Sequence, residues 1–343
     1  MADCLYPFKW TPRLVEKIWG GRKLNSVLAK PLPPDVPIGE SWELYDFPPG
    51  SVEKTQAWVS STVSNGPLAG KTLHELLERF GSAIHGQVPL LPGGQFPILI
   101  KFLDARENLS VQVHPDEQYV RAHPEAHLKS EAWYVLQADD NAKLYKGLRP
   151  GADREQFAKA AKLGNVEDLV NAIPVKADQC YYLPSGTVHA LGAGILVAEV
   201  QTPSDTTYRV FDFNRIDPGT GKPRQLHVEQ ALECINFGPE PQPQQRSHVG
   251  GLFTTVTRLV TCPYFNLEKV RFVEGVEEAV PYDQPVVWIM LDGHAQISVK
   301  GLSEPVDIRK GETVLLPAKM DQPVLKTLSD CVWLEVTFPV GGK

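Results

Sequence analysis

Several familiar signatures are missing from this 343-residue chain. Cysteine is scarce. The five residues Cys4, Cys180, Cys234, Cys262 and Cys331 form no CxxC pair and make an odd total. Neither a disulfide framework nor a cysteine zinc site fits that spacing; the expectation is reduced, mostly buried thiols in a cytoplasmic protein. An excess of positive charge is missing too. Lys and Arg number 34 against 41 Asp and Glu, giving a formal net charge of −7. No broad basic field favours nucleic acid or an anionic membrane, although a few local Lys or Arg residues can still hold a small anion. No apolar run approaches the ~18 residues needed to span a bilayer. The opening segment MADCLYPFKWTPRLVEKIWGG carries charges throughout and has no signal-peptide apolar core. The expectation is a soluble, intracellular protein with neither nucleic acid nor membrane as partner. Motifs of the form GxGxxG and GxxxxGK[ST] are also absent, so a dinucleotide fold and a P-loop have no support.

What the chain does have is punctuation. Thirty prolines and 27 glycines divide many short apolar runs. PILIKFL, EAWYVLQ, CYYLP, GILVAEV, FNLEKVRF, VVWIMLDG, AQISVKG, TVLLP and VWLEVTF read as strands of ordinary length. Many short strands with regular turns predict a mainly β sandwich or barrel. Helical spacing predicts three further segments: Thr72 to Ile84, Asp153 to Ala172 as two short helices broken near Gly164-Asn165, and Val228 to Asn236. The Pro-, Gln- and Gly-rich stretch GPEPQPQQRSHVGG, Gly238 to Gly251, is the best candidate linker. It places a boundary near residue 245, ahead of an almost wholly strand-like remainder.

The stretch LSVQVHPDEQYVRAHP, Leu109 to Pro124, raises the question of a metal. Residues two apart on a strand share a face, so an extended VQV projects Gln112 and His114 side by side. Glu131 stands at the entrance of the next apolar strand. Pro184-Ser185-Gly186-Thr187-Val188-His189 is a tight turn that delivers a histidine into another strand. Amide oxygen, carboxylate and two imidazoles suit a divalent first-row metal, with Zn²⁺ a common choice. Each motif alone is common; the order QxHP, KxE, PxGxxH is not.

That order resembles the metal motif of cupins and, more narrowly, the short bacterial-type form of the type I mannose-6-phosphate isomerase (phosphomannose isomerase) family. The resemblance covers nearly the whole chain. It runs through IWGG at Ile18 to Gly21, GESWELYDFP at Gly39 to Pro48, SNGPLAGKTLHELL, FPILIKFLDARENLSVQVHPDE, LPSGTVHAL and QTPSDTTYRVFDFNR. It implies two cupin-type jelly-roll barrels with a few helices packed on the first. Residues 1–245 would form the catalytic barrel; KGETVLLPAKMDQP echoes ADQCYYLPSGTVHA with Gln322 in place of His189, so 246–343 reads as a second barrel lacking metal ligands. It implies one zinc per chain on Gln112, His114, Glu131 and His189, and isomerisation of mannose 6-phosphate and fructose 6-phosphate through an enediol. A typical cupin has HxH with its glutamate a few residues on; here glutamine comes first and the gap to Glu131 is long, as in that isomerase family.

Proton transfer then needs a base. Lys129, two residues before Glu131, shares its face on an extended segment, and a neighbouring cation favours a proton-accepting amine. The resemblance makes Lys129 a proton-transfer residue, gives Asp205 acid–base work or ring opening, and gives Arg209 the substrate oxygens. Glu199 and Gln201 alternate on the preceding strand and rank below Asp205. Ser110, two before Gln112, and Lys101 offer a phosphate cradle, with Lys143, Lys146 and Arg149 as alternatives. Nothing in a motif singles out His74, His85, His123, His127, His227, His248 or His294, and Trp10, Trp19, Trp42 and Trp58 read as packing residues. A non-catalytic sugar-phosphate-binding bicupin needs no proton-transfer groups, so Lys129, Asp205 and Arg209 favour an enzyme. Gln112 argues against a cupin non-haem iron oxygenase. The expected partner is a small sugar phosphate, and the expected state a monomer or weak homo-oligomer.

Overall fold

The computed structural model describes residues 4–52, 55–217, 219–239 and 244–339. It is mainly β, as the short apolar runs predict. The chain divides into two compact units, each gathered from separate stretches of sequence. One comprises Leu14–Trp42 and Leu99–Gln242; the other comprises Met1–Arg13, Glu43–Ile98 and Pro243–Lys343. Residues 1–13 and 43–98 go with the C-terminal stretch rather than with residues 99–242. Strand pairing explains this. Phe8–Thr11 lies between Thr313–Leu316 and Thr62–Val63, with Phe8 opposite Leu315 and Trp10 opposite Val63.

The first unit carries two sheets. A six-stranded sheet runs in the order Cys180–Leu183, Glu131–Ala138, Ile195–Gln201, Leu99–Ala105, Arg13–Gly21, Ile38–Leu44. A five-stranded sheet runs Val170–Pro174, Lys143–Leu148, His189–Ala190, Val111–Val113, Tyr208–Phe211, antiparallel throughout. Period-2 alternation sorts the apolar side chains onto two cores. Leu144 joins Trp19, Leu103, Trp133, Val135, Ile195 and Val197 in one. Its neighbour Tyr145 joins Val111, Val113, Phe157, Val210 and Ala231 in the other. This second core backs the five-stranded sheet with the helices Arg154–Leu163 and Val228–Cys234.

In the other unit an eight-stranded sheet centres on Cys331–Thr337 and Val286–Asp292, beside a four-stranded sheet that includes His294–Ser298. Its helix Leu73–Phe80 opens on a capping box. Thr72 Oγ1 accepts from Glu75 N, and Glu75 Oε2 accepts from Thr72 N.

Three local expectations need correction. The second half of Asp153 to Ala172 is not a helix. After Gly164 closes Arg154–Leu163 with a left-handed φ of 74° there is one 3₁₀ turn, Val166–Leu169, and then the strand Val170–Pro174. Its pairing with Lys143–Leu148 outweighs local helical spacing. Part of the expected linker is also regular: Ser247–Gly250 forms an edge strand on Thr254–Thr261, while 240–243 lie outside the described residues. Finally, the sequence reading passed over two short helices, Lys23–Leu28 and Glu117–Ala122. The latter is capped by Asp116, which accepts from Tyr119 N at 2.8 Å.

Candidate metal centre and cavity

Strand register assembles the site. Across the five-stranded sheet Lys146 lies opposite His189, His189 opposite Gln112, and Gln112 opposite Arg209. Across the six-stranded sheet Lys101 lies opposite Glu199, and Glu199 opposite Trp133. Opposed residues project to the same face of a sheet. Each row therefore presents a band of polar side chains, which His114 and Glu131 extend, being two residues from Gln112 and Trp133 respectively.

His114, Glu131 and His189 come together, buried, with ligand atoms all within 4.8 Å of one another. His114 Nδ1 donates to Thr206 O at 2.9 Å and His189 Nδ1 to Thr187 O at 2.8 Å. A carbonyl can only accept, so each neutral ring carries its proton on Nδ1 and offers a bare Nε2. Those two nitrogens face Glu131, at 3.3 Å from Oε1 and 3.4 Å from Oε2. His114 Nε2 and both Glu131 oxygens are buried and make no hydrogen bond. Lys129 Nζ stands 2.6 Å from Glu131 Oε1, at ion-pair distance but without hydrogen-bond geometry.

Orphaned buried acceptors are costly; three of them turned toward one another are what a divalent cation satisfies. Their protonation agrees. Burial, reinforced by Lys129, pushes His114 down to about 3, and burial pushes His189 down against the pull of Glu131. Burial acts to raise the Glu131 carboxyl, but Lys129 and His114 outweigh it and hold it well below the usual range. Two neutral imidazoles and a carboxylate form a donor set that fits zinc and its neighbours. Gln112 stands at the edge of this group. Its Nε2 is 3.4 Å from His189 Nε2, and its Oε1 accepts from Ser110 Oγ at 3.4 Å. A half-turn of the amide exchanges oxygen and nitrogen.

A cavity of about 220 Å³ adjoins the cluster, with Gln112 and Lys129 in its wall. Of the other residues singled out in the sequence, Ser110, Lys101, Glu199, Asp205 and Arg209 also line it. Lys101 is buried between two carboxylates, 3.7 Å from both Glu40 Oε2 and Glu199 Oε1. Burial opposes its charge, yet Glu40 and Glu199 raise its pKa above the ordinary value. Trp133 Nε1 donates to Glu199 Oε2 at 2.7 Å. Burial, with Glu131 adding to it, still pushes Glu199 up to about 7. Burial also works against the charge on Glu40, but Lys101 and Lys17 bring that carboxyl down to about 2. Ser110 Oγ accepts from Arg209 Nε at 3.2 Å.

Other candidates fall elsewhere. Gln201 is buried and gives its amide hydrogens to Thr202 O and Ser204 O. Lys143 is exposed, and Arg149 Nε donates to Val170 O. His123 stacks on Tyr119, with ring centroids 4.1 Å apart. The cavity also holds residues the sequence reading missed or set aside: Glu40, Lys17, Trp19, Arg224 and His227. For Glu40 a signal existed. In GESWEL it shares a strand face with Trp42, whose Nε1 donates to Glu40 Oε2 at 2.6 Å.

Comparison with known proteins adds to this geometry. Residues 8–144 match the family described as phosphomannose isomerase type I, catalytic domain. A mannose-6-phosphate isomerase of Streptococcus mutans serotype c is 37% identical over 309 residues, 88% of this chain and 89% of that protein. The mannose-6-phosphate isomerase ManA of Bacillus subtilis is 32% identical over 330 residues, 95% of this chain and 98% of that protein. A crystal structure of the mannose 6-phosphate isomerase from Bacillus subtilis superimposes with a TM-score of 0.84 at 32% identity, covering 97% of this chain and 99% of that one.

Proposed function

The chain belongs to the type I mannose-6-phosphate isomerase family, and on that premise we propose that it interconverts mannose 6-phosphate and fructose 6-phosphate by proton transfer through an enediol, with one zinc ion at His114, Glu131 and His189. The observation that carries the metal assignment is the trio of buried acceptor atoms, none with a hydrogen bond, turned toward one another. Gln112 completes the ligand set from the edge of the cluster. A bound Zn²⁺ supplies Lewis acidity, polarising the carbonyl and stabilising charge that develops on oxygen.

The chain's own residues do the rest. In the open-chain aldose the C2 proton leaves to a base, the C2–H electron pair forms the C1–C2 double bond, and the C1=O π pair moves onto O1, which takes up a proton. The enediol then loses its O2 proton, and a proton returns to C1, leaving a ketone at C2. Lys129, buried in the cavity wall, is assigned the proton shuttle between C2 and C1. Asp205, exposed at the same cavity, takes the hydroxyl proton in ring opening. Arg209, anchored on Ser110, binds substrate oxygens. Lys101, held by two carboxylates, is better suited to a sugar hydroxyl than to a further anion.

We read each unit as a cupin-type jelly roll, and the 243–343 stretch as contributing to a second copy without the ligands. A repeated detail supports this. Trp133 donates its indole N–H to the cross-strand Glu199, and Trp288 does the same to the cross-strand Glu335 at 3.0 Å.

Two experiments test the reading. The first is metal analysis of purified protein beside a coupled assay on mannose 6-phosphate. The expectation is about one zinc per chain, with both metal and turnover lost in His114→Ala and His189→Ala; full metal content in either variant refutes the ligand assignment. The second compares two further variants. Lys129→Ala should keep its metal, lose ~10²–10⁴-fold in kcat, and lose exchange of the C2 proton with deuterated solvent. Arg209→Ala should raise KM as well. Near wild-type exchange in Lys129→Ala places the base elsewhere, with Asp205 next.

A further inference from the structure

We propose that the phosphoryl end of the substrate is held by Arg209, Arg224 and His227, with Asp212 as the residue that presets Arg224; this rests on the isomerase reading above. All three proposed contacts line the cavity, yet they arrive from different segments. Arg209 lies on the strand Tyr208–Phe211, whereas Arg224 and His227 come from the chain leading into the helix Val228–Cys234. Arg209 Nη1 donates to Gln225 O at 3.0 Å, which fastens it to the residue next to Arg224.

Spare donors identify the ligand. Arg209 uses Nε on Ser110 and Nη1 on Gln225, leaving Nη2 without a partner among the described residues. Arg224 gives Nε to Asp212 Oδ2 at 2.7 Å and Nη2 to Asp212 Oδ1, leaving Nη1 likewise. His227 Nδ1 accepts from Arg209 N at 3.4 Å, so the neutral ring carries its proton on Nε2, a third donor. Planar guanidinium forks matched to an oxyanion are the usual phosphate grip.

Charge points the same way. Two guanidiniums, Arg215 and Arg224, share the one buried carboxylate of Asp212, with Arg215 spent on Asp212 and Asn108 O, while Arg209 makes no ion pair among the described residues. At this end of the cavity Arg209 and Arg224 face Asp205 and Asp212, and with Arg215 beside them the cations outnumber the carboxylates. The Ser110–Lys101 alternative is weaker. There a dianion would meet Glu40 and Glu199, which already flank Lys101.

Asp212 explains how the grip is held open. It is 5% exposed and pairs with Arg224 through both oxygens, fixing a long side chain that would otherwise lose rotamer freedom on binding.

The test is calorimetric titration of the purified protein with inorganic phosphate and with fructose 6-phosphate, beside steady-state kinetics on mannose 6-phosphate. Arg224→Met should weaken both ligands by roughly 10–100-fold, as expected for lost charge-assisted hydrogen bonds. KM should rise far more than kcat falls, and Arg224→Lys should recover part of the loss. Arg224→Met leaves Asp212 paired with Arg215, which favours a folded variant. His227→Ala, which breaks no ion pair, should weaken phosphate several-fold and serves if the arginine variant does not fold. Asp212→Asn should raise KM with little change in kcat. Unchanged phosphate affinity in folded Arg224→Met or in His227→Ala overturns the assignment, and its loss in Lys101→Met instead moves the phosphate to Lys101. Wild-type protein that binds phosphate through Arg224 yet never turns over mannose 6-phosphate sinks the isomerase reading and leaves the anion site standing.

Discussion

Glu335 shows how much one side chain can depend on its neighbours. Its Oε2 accepts from Tyr282 Oη at 2.6 Å, from Trp288 Nε1 at 3.0 Å and from Trp333 Nε1 at 3.4 Å. Burial nevertheless raises this carboxyl above its ordinary 4.5, only partly offset by those donors. The folded protein therefore holds the proton more tightly than the unfolded chain does. Stability should fall as pH rises from 4.5 through the raised folded value, then level off. Glu335→Gln removes that slope and keeps an acceptor oxygen. Urea midpoints measured from about pH 4 to 8 should show the variant gaining on the wild type as pH rises; parallel curves would count against it. Residues differ in how plainly the sequence announces them. Gln112, His114, Glu131 and His189 are legible because strand period and tight turns fix where they point. Arg224 and His227 are not, because an irregular segment carries them and long-range bonds, the Asp212 pairing and those of Arg209 with Gln225 and His227, bring them to the cavity.

Among the elements, the helix Arg154–Leu163 matters beyond its length. Asp153 and Gln156 form a capping box at its start, and Phe157, fully buried, packs with Val111, Val113 and Val188 behind the sheet that carries Gln112 and His189. Asp153→Ala should cost about 1 kcal/mol. Phe157→Ala should cost ~3–5 kcal/mol through the cavity it leaves. Thermal denaturation measures both, and a Phe157→Ala cost under about 1 kcal/mol would mean that the helix does not support the sheet. The helix is readable from its amphipathic spacing. The strand that follows it is not, since Val170 and Ile173 take their conformation from a partner strand rather than from local preference. The edge strand Ser247–Gly250 was hidden for the same reason inside a stretch whose composition reads as linker.

At the scale of the whole molecule, the strand Phe8–Thr11 carries the sharpest consequence. It is paired on one side with Thr313–Leu316 and on the other with Thr62–Val63. A chain stopped at residue 242 lacks the first of these partners. Such a fragment should lower the hydrogen-exchange protection of Phe8, opposite Leu315, relative to the full chain, while Trp10 and Thr11 keep their partners Val63 and Thr62; equal protection of Phe8 in both would show that the pairing is dispensable. Sequence composition could suggest a boundary near 245. It could not show that the C-terminal strands reach back to the opening residues, because long-range pairing leaves no local trace. Biosynthesis makes that pairing a matter of timing. Phe8 emerges from the ribosome roughly 300 residues ahead of Leu315, and at ~5–20 residues per second the wait is on the order of tens of seconds. Throughout that interval an apolar strand, with Phe8 and Trp10 on one face, waits with an unsatisfied edge, an opening for chaperones and for aggregation alike.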